Sequence, residues 1–132
     1  MHKATATSAI DYAQANKLDE WVHDFLLGEG NNKELSESIK RHGRKFFAPK
    51  RMKLDLFRRC FGPQAVDDDR DFFDKVNEIA DRFKAGAWDM PPLIALECNK
   101  GYYDLDDGSH RFEALKMLGI DEYWVILWGS EA

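Results

Sequence analysis

The chain has little cysteine, and neither of its two, Cys60 and Cys98, has a partner at metal-ligand spacing. That excludes a disulfide scaffold or a zinc ribbon as the organising principle, and it leaves a buried thiol at the end of an apolar segment as the reading for Cys98. No apolar run approaches the length of a membrane span. The start, Met1-His2-Lys3-Ala4-Thr5-Ala6-Thr7, also lacks the apolar core of a signal peptide. A reducing cytoplasm is the expected compartment. There is no internal repeat and no low-complexity tract. What remains is 132 residues, 44% hydrophobic and 33% charged, as expected of one globular domain with a real core.

The net charge of −5 conceals an asymmetry. Residues 40–59 hold Lys40, Arg41, Arg44, Lys45, Lys50, Arg51, Lys53, Arg58 and Arg59 against the single acid Asp55, a local +8 that leaves −13 on the rest. This island is either a solvated face or a local site for an anion. The overall acidity argues against autonomous DNA binding.

Periodicity predicts the elements. Ser8 and Asp11 resemble a capping box, opening a helix in which Ile10, Ala13, Leu18, Trp21, Val22, Phe25 and Leu26 recur at helical spacing, with a break at Asn16. Gly28-Glu29-Gly30-Asn31-Asn32 is a loop, and a second helix runs from Lys33 to His42 with Gly43 as terminator. Met52, Leu54 and Leu56 alternate with Lys53 and Asp55, as in a half-buried strand. Phe57 to Cys60 could instead begin a helical turn. Asp67, Asp68 and Asp69 precede a helical pattern of Phe72, Phe73, Val76, Ile79, Ala80 and Phe83, ended by Gly86. Carboxylates there favour the helix dipole, and magnesium is the competing role. After Pro91-Pro92 comes a strand, Leu93 to Glu97. Asn99-Lys100-Gly101 makes a hairpin turn, and Tyr102 to Leu105 pairs back. Phe112, Leu115 and Leu118 form a helix's core face, and Tyr123 to Trp128 is a strand of interior character. The expected class is α+β, a small mixed sheet with packed helices in residues 49–132, preceded by a helical extension over 1–48.

The chemistry concentrates where a short strand meets a helix, at Asp106-Asp107-Gly108-Ser109-His110-Arg111. A helix N-terminus carries free amides and partial positive charge, and a glycine lets a ligand approach the backbone. Arg111 could grip a phosphate bidentately, or pair with Asp107 or Glu113. His110 could touch a phosphate, shuttle a proton, or be a core histidine. Ser109 is a candidate helix N-cap. Asp106 and Asp107 could act as general base or hold Mg²⁺, or serve the turn itself. Lys53, Arg58 and Arg59 could add cationic contacts, and the Glu29–Asn32 loop could reach over the site.

Asp-Asp-Gly-Ser-His-Arg-Phe-Glu-Ala-Leu, followed by Leu118-Gly119 and an apolar strand, resembles the signature of the ParB/sulfiredoxin-like superfamily. Upstream, Met90-Pro91-Pro92-Leu93-Ile94-Ala95-Leu96 and Gly101-Tyr102-Tyr103 fit the same pattern, so the resemblance covers roughly Pro91 to Trp128. It implies a nucleotide (ATP, ADP or CTP, with Mg²⁺) or another phosphorylated small molecule at Gly108, Ser109, His110 and Arg111, with Lys53 assisting. Asp106, Asp107 and His110 are then the catalytic candidates of a phosphotransferase or nucleotide hydrolase. The alternative is a non-catalytic nucleotide-binding switch, or a DNA-associated or protein-interaction module. Two features narrow this. Sulfiredoxins have cysteine where Ser109 stands, and serine cannot form their thiosulfinate. Partition proteins carry a helix-turn-helix after the nucleotide fold, and none is expected in a chain ending at Ala132.

Overall fold

In the computed structural model, residues 4–43, 45–59, 70–97 and 101–129 are described. Three helices come first: α1 (Ala6–Gln14), α2 (Leu18–Leu27) and α3 (Lys33–His42). Strands β1 (Lys45–Phe46), β2 (Lys50–Lys53) and β3 (Phe57–Arg59) follow, with a 3₁₀ turn at Leu54–Leu56 between the last two. Then come α4 (Arg70–Lys84), β4 (Leu93–Leu96), β5 (Tyr103–Asp107), α5 (Ser109–Met117) and β6 (Glu122–Gly129). The class is α+β. Cys60, the Asp67–Asp69 run, Cys98 and the Asn99-Lys100 turn lie outside the described residues.

Local signals place most boundaries. The first cap is Thr5 rather than the expected Ser8: Thr5 Oγ1 accepts from the Ser8 amide, and Ser8 Oγ accepts from the Thr5 amide. Asn16, at φ 62°, separates α1 from α2, and Gly43, at φ 61°, ends α3. The alternation over 52–56 does not produce one strand. Leu54 is buried but Leu56 is 40% exposed, because the 3₁₀ turn intervenes. Phe57 to Arg59 is extended, not helical.

The sheet is mixed, in the order β1-β6-β4-β5-β3, with β2 also paired to β6. β4 is parallel to β6 and antiparallel to β5, and β3 is parallel to β5. Side-chain parity sends alternate residues to opposite faces. On one face Leu93, Leu105, Val125 and Leu127 pack with Phe112 and Leu115 of α5, beside Ile79 and Phe83 of α4. On the other, Ile94, Ile126 and Trp128 pack with Trp21, Val22, Leu26, Leu35 and Ile39 of α2 and α3. β6 reads as a continuous apolar run because both of its faces are covered.

Trp21 is fully buried, stacks on Phe25 with ring centroids 5.1 Å apart, and donates its indole N–H to Ser8 Oγ at 2.8 Å. Trp21→Ala is expected to cost about 3–5 kcal/mol in a urea titration, by the cavity it leaves. A cost under about 1 kcal/mol would show that the first three helices do not stabilise the sheet.

Candidate functional site

β5 delivers consecutive carboxylates to the end of the sheet, and parity sends them to opposite sides. Asp107 faces the α5 side. Its Oδ2 accepts from Arg111 Nη2 at 2.9 Å and its Oδ1 from Asn32 Nδ2 at 3.0 Å. Asp106 is on the α3 side, where its Oδ2 accepts from the Trp128 indole at 2.7 Å. The expected trio of Asp106, Asp107 and His110 is therefore not assembled. Nor does the geometry fit a metal at this turn. Both Asp107 oxygens are engaged, and no group of three His, Cys, Asp or Glu among the described residues could hold an ion.

Gly108 makes the turn into α5. At φ 104° it adopts a backbone conformation that side chains disfavour, and an added Cβ would lie 2.7 Å from Leu93 Cδ2 and 3.0 Å from Arg111 Nη2. It occupies the N-cap position, and Ser109 is the first helical residue rather than the expected cap.

Arg111 does not reach out as the phosphate grip expected of it. Its guanidinium is buried, donating Nη1 to the carbonyls of Pro91 at 2.7 Å and Pro92 at 2.8 Å, and lying 5.3 Å from the Phe25 ring centroid. Burial pulls its pKa below the ordinary value, and the adjoining Asp107 carboxylate opposes that pull. The ion-pair alternative with Asp107 is the one observed, though inside the protein instead of on its surface. The pair neutralises two charges that would each be costly alone.

His110 sits half-buried with its ring 4.5 Å from that of Phe72. Burial lowers its pKa first, Lys75 adds to that, and Asp107 opposes it, so the imidazole is predominantly neutral near pH 7. With Asp107, Gly108 and Arg111 it lines a cavity of about 380 Å³. Glu29, Gly30 and Asn31 close one side, so the loop between α2 and α3 does reach this site. Lys75, Ile79 and Arg82 of α4 supply another side. The two cations were missed in the sequence. Their signal is the spacing: residues 75, 79 and 82 share one helical face, but only the apolar member stands out in a search for core residues.

Lys53 belongs elsewhere. It lines a separate depression of about 580 Å³ with Arg58, Phe112, Lys116 and Asp121. Arg59 pairs with Glu113 at 3.0 Å, while Lys40, Arg41, Lys45, Lys50, Arg51, Lys53 and Arg58 are exposed. The basic island is largely a solvated face.

No family model matches the chain, and no curated protein matches it. Among solved structures it is similar to a sulfiredoxin from Arabidopsis thaliana, with 24% identity, a TM-score of 0.47, and coverage of 60% of this chain and 82% of that one. It is also similar to C-terminally truncated SbnI from Staphylococcus aureus (22%, 0.45, covering 58% and 29%). A third is C-terminally truncated ParB from Caulobacter crescentus complexed with CTP-gamma-S (15%, 0.46, covering 64% and 46%). The likeness is one of chain path. The chain spans less than half of the SbnI and ParB chains, and their activities are not carried over. Among the described residues no helix is long and apolar enough to cross a membrane.

Two substitutions test this geometry. Arg111→Ala should lose about 3–5 kcal/mol of stability, because it strands Asp107 and two proline carbonyls in the interior. A melting temperature equal to wild type would remove Arg111 from this structural role. Asp106 provides the second test. Burial chiefly, with Asp104 and Asp107 adding to it, pushes its carboxyl up to about 6 against the opposing Trp128 hydrogen bond. A carboxyl raised in the folded state binds its proton more tightly there than when unfolded. Ionising it therefore destabilises the fold as pH rises from about 4 through about 6, by on the order of 2–3 kcal/mol. Asp106→Asn keeps an acceptor for the indole and removes that loss. Its stability advantage over wild type should grow across this window and then level off, and a pH-independent difference would refute the assignment.

Proposed function

We propose that this protein binds a nucleotide or another phosphorylated small molecule in the cavity between the Gly28–Asn32 loop, α4 and the start of α5. The observation that carries the reading is convergence. Lys75 and Arg82 from α4, and His110 from α5, line the same recess as the start of α5, where the helix dipole presents its positive end. Point charges from lysine and arginine, together with a helix N-terminus, are a common chemistry of phosphate recognition. Asp107 does not oppose an anion as a bare charge, because Arg111 neutralises it. The volume lies within the usual range for small-molecule sites.

Binding without phosphotransfer is the reading favoured here. Asp107 has both oxygens engaged and Asp106 lies across the sheet, so neither carboxylate is placed to take a proton from an acceptor in this recess. The ligand would sit on a surface joining the first helices to α5, since Asn32 both caps α3 and holds Asp107. That suits a nucleotide-binding switch.

The test is a thermal-shift titration with ATP, ADP, CTP, GTP and inorganic phosphate. CTP belongs in the set because the Caulobacter ParB neighbour was solved with a CTP analogue. Ligand at about a hundred times its dissociation constant should add about 2.7 kcal/mol, a shift of several degrees. In the Lys75→Ala/Arg82→Ala double variant Lys75 is exposed and Arg82 gives up a cation–π contact 3.9 Å from the Trp88 ring centroid, so unliganded stability should fall by no more than about 1 kcal/mol while the shift disappears. A shift that survives in the double variant, or none with any of the five ligands, rejects the site.

A further inference from the structure

Asp106, which the reading above leaves unused, is a nine-tenths-buried carboxylate beside a second cavity of about 630 Å³. This cavity lies on the opposite face of the sheet from the phosphate recess. Its sheet wall is Leu96, Asp106 and Trp128, and its helical wall comes from α3, including Leu35, Arg41 and His42. The Trp128 indole satisfies one Asp106 oxygen. No hydrogen bond or ion pair among the described residues engages the other, although Arg41 lines the same cavity.

The electrostatics specify what could complete this carboxylate. Asp104 shares the same face of β5 two residues away and is also buried, which deepens the negative potential. An anion is excluded by repulsion, and a neutral donor would leave the buried charge uncompensated. A metal ion lacks ligands, since no suitable group of three exists among the described residues. The Leu35, Leu96 and Trp128 surfaces require an apolar body behind the charged end. On the helical wall the Arg41 guanidinium offsets the Glu34 carboxylate, so Asp106 is the carboxylate left to set the ligand's charge at one.

We propose that the cavity between α3 and the sheet is a binding site for a small organic monoamine. Its ammonium donates to the open oxygen of Asp106, and its hydrocarbon or aryl body lies against Leu35, Leu96 and the Trp128 ring. This site is independent of the phosphate recess. A buried carboxylate whose ionisation destabilises the fold is the kind of local cost that a functional site carries.

Isothermal titration of the full chain with benzylamine tests the proposal, with benzyl alcohol and benzoate as the neutral and anionic counterparts. Benzylamine should bind saturably at one site, at least about tenfold more tightly than either counterpart. Asp106→Asn should weaken it by about tenfold or more, and Arg41→Ala should leave it unchanged or tighten it. The Lys75→Ala/Arg82→Ala variant should bind benzylamine like wild type, which keeps the outcome separate from that of the phosphate site. Ser38→Trp, which fills the cavity from α3 and leaves the sheet intact, provides the loss-of-binding control should Asp106→Asn not fold. Absence of saturable binding overturns the site, and so does equal affinity for benzyl alcohol. Benzylamine binding that survives Ser38→Trp, or Asp106→Asn in a folded sample, does the same.

Discussion

The interior hydrogen bonds of one guanidinium hold together the end of this protein where β5 turns into α5. Arg111 reaches back from the first turn of α5 to the carbonyls of Pro91 and Pro92 and to the carboxylate of Asp107. Prolines have no N–H, so this approach to β4 cannot donate to a strand ladder, but its carbonyls still need donors. The arginine supplies them in a planar fork that a lysine could not reproduce. Tyr123 ties the preceding residue by donating its hydroxyl to the Met90 carbonyl at 2.7 Å. Asp107 passes the constraint on to Asn32, and Asn32 caps α3. Helix α5, the proline segment, the end of β5 and the loop between α2 and α3 therefore form one polar network, whose members depend on each other for satisfaction.

This network decides what the turn can do. An arginine held by three acceptors is a positioning element, and the charges left for an anion are those of α4. Lys75 and Arg82 are exposed, helical spacing keeps them on one face, and Arg82 also stacks on the Trp88 ring at 3.9 Å. Gly108 is constrained twice, by its positive φ and by the Leu93 and Arg111 atoms packed against it. The recess proposed for a phosphate thus combines a hydrogen-bonded floor with exposed cationic side chains, an arrangement that supports binding more readily than positioning for chemistry.

The sheet makes the second division. Because helices cover both faces, the two carboxylates that end β5 enter different environments. Asp107 joins an ion pair at the α5 side, while Asp106 meets an indole under α3. Adjacent in sequence, they lie on opposite walls of the molecule and cannot share a substrate. The same parity lets β6 serve two cores with one apolar run, and it is why the first three helices pack on the sheet that carries the turn.

Much of this was legible in the residues themselves. Helical spacing marked α3 and α4, Asn16 and Gly43 marked breaks, and Gly108 with the following basic residues marked a strand-to-helix turn. Those features follow from local sterics, capping and periodicity, which act over a few residues. The tertiary structure decided partnership. No short-range rule says that Arg111 will spend its donors on residues twenty positions earlier, or that Lys53 will line a different depression. The opposite fates of Asp106 and Asp107 were implicit in strand parity, but only once helices were known to cover both faces. Local preference is set by covalent geometry and nearest neighbours. The pairing of buried charges is set by which distant groups close packing brings within hydrogen-bond reach.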